Sequence, residues 1–210
     1  MQIIKRFIIE SNHFLSQDIE AFYRTDYIGY RKPGNPDYIN TLKNTYNNYS
    51  ASLLNNAVQK LKSALLEDLP QILKIIQLNS LIVCVVPRAK AEANYHPNQL
   101  LFKSTIRNVV NQINGFSDGI DYIVRHTNTK TTHLRANTPN YNNDGAAPYP
   151  GITISTCNIS SNVWNKNILI IDDLYTRTVN IDEDAIQALF DKGAHFVTFY
   201  AIGRTVYNQF

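Results

Sequence analysis

Cysteine is scarce in this chain: Cys84 and Cys157 are the only two in 210 residues. That excludes a disulfide framework, and Cys84 lies in an apolar run where burial is expected. No Cys/His spacing suits zinc. Long apolar runs are also lacking, for none approaches the roughly 20 residues of a membrane span. The opening MQIIKRFIIE is too short and too quickly charged for a signal peptide. Strong charge is missing as well. Twenty Lys and Arg against 17 Asp and Glu leave a net charge of +3, scattered without a basic block, so nucleic acid is not indicated. These absences predict a cytoplasmic protein without membrane attachment.

The chain is 44% hydrophobic and 18% charged, enough to bury one core. Residues 1 to 78 read as an N-terminal elaboration: a short strand near Ile3 to Ile9, irregular structure to about residue 47, then helix. The spacing Leu54, Val58, Leu61, Leu65 marks one apolar helical face from Ser50 onward. Pro70 is expected to end or kink that helix, with a second helical stretch over Gln71 to Leu78. Residues 79 to 210 alternate strands and helices. Leu81 to Val86 is a continuous β-prone apolar run, as in a strand buried on both faces. A helix is expected over Asn98 to Ile113, then a strand near Ile120 to Val124. A long polar loop, His126 to Tyr149, exceeds the usual connection length and suggests a functional cover or a disordered insert. Strands near Ile152 to Ser155 and Asn167 to Ile171 follow, then a helix over Ile181 to Phe190 and a last strand, Phe196 to Ile202. The pattern predicts an α/β fold with a central parallel sheet flanked by helices and its ligand crevice at the carboxyl ends of the strands.

The most specific stretch is DDLYTRTVN, Asp172 to Asn180, between the ILII strand and the helix that follows. Paired carboxylates can accept hydrogen bonds from vicinal hydroxyls. A helix-opening turn can hold a phosphate through backbone N–H groups and the helix dipole. Asn180 and Glu183 have the spacing of an N-cap and its capping-box acid.

The run ILIIDDLYTRTVNIDEDAIQALFDKGAHFVTFYAIGRT resembles the phosphoribosyl-diphosphate-binding region of type I phosphoribosyltransferases. It is most similar to the competence-associated, amidophosphoribosyltransferase-like branch. Asp172, Asp173 and Thr176 match the family pattern of two acids, two variable residues and Thr-Thr-Gly-x-Thr. Arg177, Thr178 and Asn180 replace a Thr, the Gly and the final Thr. A glycine there permits positive φ and close phosphate approach, which a β-branched residue resists; Arg177 offers a charged fork instead.

The resemblance implies a type I phosphoribosyltransferase-like sheet and displacement of pyrophosphate from phosphoribosyl diphosphate by a nitrogen nucleophile. Asp172 and Asp173 would be the catalytic acids, orienting the ribose and stabilising an oxocarbenium-like state. Thr176, Arg177, Thr178, Val179 and Asn180 would hold the 5-phosphate. Arg88, Ala89 and Lys90, after the first apolar strand, would bind pyrophosphate. Arg125, just before the polar loop, and Lys130 and His133 within it would meet the pyrophosphate or the acceptor as the loop closes. Magnesium would arrive with the phosphoribosyl diphosphate, with no direct protein ligand. No glutamine-hydrolysing domain precedes the fold, so ammonia drawn from glutamine is not expected.

Two other classes of function stay open. One is a catalytically inactive relative that senses a phosphoribosyl ligand or nucleotide, which the missing glycine favours. The other is an interaction protein, with the Tyr-rich N-terminal part and the helix from Ser50 as contact surface for a protein partner or a second copy of the chain.

Overall fold

The structure is a computed structural model that describes residues 2–29, 31–131, 141–145 and 151–206. Its strands are β1 (Lys5–Ile9), β2 (Ile19–Tyr27), β3 (Leu81–Val85), β4 (Phe116–Asp118), β5 (Ile123–Arg125), β6 (Cys157–Ile159), β7 (Asn167–Tyr175) and β8 (Phe196–Thr205). Its α-helices are α1 (Tyr38–Lys43), α2 (Ala51–Ile76), α3 (Leu101–Val110) and α4 (Ile181–Asp191).

Six strands form one sheet in the order β1-β2-β8-β7-β3-β4. Only β1 runs antiparallel; the other pairings are parallel. Alternation along the strands divides the core into two layers. Val83, Val85, Leu169, Ile171, Phe22 and Tyr200 pack with Leu42 of α1, Leu61 and Leu65 of α2 and Ile106 of α3. Cys84, Ile168, Ile170, Ala21 and Phe199 pack with Ala185, Ile186 and Leu189 of α4. β3 and Ile168 to Ile171 of β7 are apolar throughout because both of their faces are covered. The molecule is thus mixed α/β, a mostly parallel sheet flanked by helices. No helix among the described residues is long and apolar enough to cross a membrane.

Residues 1–78 do not stand apart from the remainder. The segment expected to be irregular contains β2, hydrogen-bonded between β1 and β8. Its Ile19, Ala21, Phe22 and Tyr23 are buried, but the charges between them hide the strand in the sequence. Each of those charges has a partner: Glu20 with Arg6, Arg24 with Asp68 and Glu67, Asp26 with Lys5.

Four further expectations need correction. α2 runs unbroken past Pro70, and no second helix starts at Gln71. Pro70 is exposed and so is Leu66, whose carbonyl loses its helical donor; water can replace that donor, while Leu65, Leu69 and Ile72 remain buried on the other face. The strand placed over Ile120 to Val124 is interrupted by a turn at Asp118-Gly119. There Asp118 Oδ1 accepts from Ile120 N at 2.9 Å, and a Cβ on Gly119 would lie 2.4 Å from Ile82 Cγ2. That Asp-Gly pair is a turn signal in its own right. It separates β4, beside β3, from β5, which pairs antiparallel with β6 in a small second sheet. The strand placed over Ile152 to Ser155 is a hydroxyl-bonded turn: Thr153 N donates to Thr156 Oγ1 at 3.1 Å and Thr156 N to Thr153 O at 3.0 Å. Such local bonds compete with a strand ladder, and the strand begins only at Cys157. Finally, β7 continues to Tyr175 rather than stopping at Ile171.

Candidate functional site

β3 is shorter than β7, and that difference makes the site. β3 pairs with β7 only as far as Val85–Ile171, with one more bond from Val86 N to Ile171 O at 3.0 Å. β7 runs on beside β8 through Asp172 and Leu174. The acid pair therefore lies beyond the carboxyl end of its neighbour, where the sheet opens into a cleft of about 150 Å³. The turn after β3 (Arg88, Ala89, Lys90), Lys43 of α1, Lys103 of α3, Arg125 of β5, Thr129, Thr131 and Tyr141 line it with Asp172 and Asp173.

Consecutive residues of a strand point to opposite faces, and the two acids are met from different elements. Asp173, 8% exposed, is paired on the α1 side with Lys43, Nζ to Oδ2 3.1 Å. Burial alone would lower the Lys43 pKa, but the neighbouring Asp173 and Asp172 charges outweigh it and the ammonium is held above its ordinary value. Asp172 meets Asp182 in the first turn of α4. Burial, then the Asp173 charge, push the Asp172 carboxyl up to about 8, against a hydrogen bond from Asp182 that acts the other way. Asp182 is 4% exposed and also raised, by burial first and by the Asp172 charge second. Asp172 is the more open of the two by surface area; the shared direction follows from burial first, reinforced by two neighbouring carboxyls that resist ionising together. Neither Lys43 nor Asp182 was singled out from the sequence. Asp182 had a signal, an acid in a helix's first turn, whereas Lys43 is one cation among many until the fold brings it to β7.

On the opposite wall, Arg88 Nη1 donates to Gln99 O at 2.6 Å, and its guanidinium lies 4.4 Å from the Tyr95 ring centre. Lys90 is 7% exposed; its ammonium reaches Thr129 O at 3.0 Å, Asp144 Oδ1 at 2.9 Å and the Asp144 carbonyl. The Ala89 carbonyl accepts from Thr129 N at 2.8 Å. The N–H groups of Lys90 and Ala91 already donate to Tyr95 Oη and Asn128 Oδ1. Arg125, 4% exposed, donates to Arg88 O at 2.7 Å and Gly151 O at 2.8 Å. It braces the β3 turn through the Arg88 carbonyl.

The remaining expected residues are placed elsewhere. Lys130 is exposed and not among the lining residues, and His133 lies outside the described residues. Thr176, Arg177, Thr178, Val179 and Asn180 are not among the lining residues either, although Ile181 is. Thr176 Oγ1 bonds Thr205 Oγ1 at 2.8 Å, Val179 N donates to Thr176 O at 2.9 Å and Arg177 pairs with Glu10 at the surface. Thr178 is not among the positive-φ residues; the left-handed position is Asn180, φ 58°. That conformation overturns the capping box. Asn180 makes no side-chain cap; its Oδ1 accepts from Asn12 Nδ2 at 3.2 Å, and Glu183 accepts from Tyr175 Oη at 2.8 Å. The first turn of α4 holds Asp182, Glu183 and Asp184, so acids of the helix itself already occupy the end that would favour an anion.

Chemically the cleft offers hard carboxylate oxygens on one side and a basic turn on the other. Among the described residues no group of three or more His, Cys, Asp or Glu is arranged to hold a metal ion. Compared with models of known protein families and with curated proteins, the chain finds no match.

Proposed function

We propose that the cleft receives a ribose carrying a pyrophosphate group, phosphoribosyl diphosphate or a nucleotide of similar charge. The chain would act as a phosphoribosyltransferase-like enzyme that displaces pyrophosphate with a nitrogen nucleophile. One observation carries this reading: the acid pair of β7 and the basic turn after β3 open on the same cleft, at the carboxyl ends of adjacent parallel strands. The adjacency supports a type I phosphoribosyltransferase arrangement of the sheet. Arg88 and Lys90 would take the pyrophosphate oxygens, and the acids would take the ribose hydroxyls. Magnesium would be held mainly by the ligand's pyrophosphate, and the hard oxygens of Asp172 and Asp173 suit its bound waters.

A second reading has its own support. The α4 first turn sets three acids where a 5-phosphate would meet the helix, and the turn before it is held by Glu10 and Asn12. Both features favour a catalytically inactive relative that binds the ligand as a sensor. Calorimetric titration with phosphoribosyl diphosphate and magnesium, followed by a pyrophosphate-release assay over ammonia and a panel of bases, separates the two. Binding with turnover supports the enzyme, and binding without turnover the sensor. Absence of binding removes both.

A further inference from the structure

We propose that Lys43 is a specificity residue of the cleft, allowing it to distinguish a phosphorylated ribose from pyrophosphate alone. The proposal rests on the ribose-ligand reading above. Lys43 is the last residue of α1, and its Nζ stands 3.1 Å from Asp173 Oδ2 with 26% of its side chain exposed. An ammonium has three N–H donors. One carboxylate oxygen satisfies one of them, and a lining ammonium can present others to a ligand oxygen. A sugar lying over Asp172 and Asp173 would otherwise meet carboxyl groups there, which its hydroxyls can use but which bring no positive charge to its phosphate.

The position of Lys43 is set by the far wall of the cleft. α1 ends at Asn44 in the left-handed conformation. The Gln99 side-chain amide donates to Asn44 O at 2.9 Å and Thr45 O at 3.0 Å. Gln99 is 9% exposed, and its own carbonyl accepts from Arg88. Lys43 on the acid side and Arg88 on the basic side are thus tied to one residue at a set separation. Pyrophosphate at the β3 turn has Arg88 and Lys90 and does not need Lys43. A phosphorylated sugar reaching the acid pair does.

The test is calorimetric titration of the full chain and of Lys43→Met, Lys43→Gln and Lys43→Arg. The ligands are ribose 5-phosphate, phosphoribosyl diphosphate with magnesium, and inorganic pyrophosphate. Lys43→Met is expected to weaken both ribose ligands by about tenfold or more, the factor for losing a charge-assisted hydrogen bond, and pyrophosphate by less than about twofold. Lys43→Arg should recover most of the loss. Lys43→Gln is read in parallel, so that a folding failure of the methionine variant leaves the question decided. Equal losses for ribose ligands and pyrophosphate would mean that Lys43 merely holds α1 in place, and would overturn the proposal. So would unchanged ribose binding in the neutral variants, which leaves the ribose reading intact. If the unmodified chain binds pyrophosphate but no ribose ligand, the ribose reading falls and this proposal with it.

Discussion

Lys90 Nζ lies 2.9 Å from Asp144 Oδ1, so a carboxylate of the chain itself sits on a cation of the turn after β3. The segment 141–145 is fastened there by more than this pair. Asn128 Nδ2 donates to Asp144 Oδ2 at 3.0 Å, and Thr131 N to Asn143 Oδ1 at 2.7 Å. Gly145, φ 112°, runs so close that a Cβ would lie 2.6 Å from Asn128 O.

An anion that used Lys90 would compete with Asp144. Asp144→Asn removes the competing charge and keeps the shape, so inorganic pyrophosphate should bind about three- to tenfold more tightly. Calorimetry at constant ionic strength measures this; unchanged or weaker binding would show that the anion does not use Lys90.

The Asp172–Asp182 pair should make stability depend on pH. Asp172 is raised to about 8, and Asp182 and Glu183 are raised too. A folded-state pKa above the unfolded value means that the contribution is complete below the unfolded pKa and is lost as pH rises through the folded one. The groups facing the pair are Asp173 on β7 and Lys43 on α1, and Lys43 keeps its charge across this range. The contribution of the pair to Tm is expected to fall from about pH 4, the ordinary carboxyl value, to about pH 8, the raised one, and Asp182→Asn should flatten the fall. A Tm that rises over that interval, or a variant with the same slope, contradicts the raised pKa values of the pair.

Asp68 is fully buried in the middle of α2. Its carboxylate is held by Tyr200 Oη and Arg24 Nη1, each at 2.6 Å. Burial raises its pKa against both partners. Tyr200→Phe removes one donor and should cost about 1–3 kcal/mol. Asp68→Ala leaves Arg24 without its buried partner and should cost about 3–5 kcal/mol. Urea unfolding measures both; a Tyr200→Phe variant as stable as the parent would show that the network does not hold α2 to β8.

Pro70→Ala should stabilise the protein. Inside a helix proline is worse than alanine by about 3 kcal/mol, offset by about 1 kcal/mol through the stiffer unfolded chain. A net gain of about 1–2 kcal/mol is expected, since Pro70 is exposed and the new side chain meets no crowding. Loss of stability would indicate that α2 is bent at this point to fit the sheet.

Several features could be read directly from residues. The apolar runs of β3 and β7 announce strands covered on both faces, and the apolar face from Leu54 announces α2. Asp172 and Asp173 after ILII mark the open end of a strand. These are local signals, because burial on both faces or on one helical stripe leaves its period in the order of the residues. Tertiary structure decided what no period records. It made a strand of Ile19–Tyr27, whose charges are tolerated because Arg6, Asp68, Glu67 and Lys5 lie opposite them. It carried α2 through Pro70, since packing along a 26-residue helix outweighs one missing bond. It also divided the acid pair, giving Asp173 to Lys43 and Asp172 to Asp182. The carboxylates themselves belong to the sequence, but their charge depends on neighbours distant along the chain.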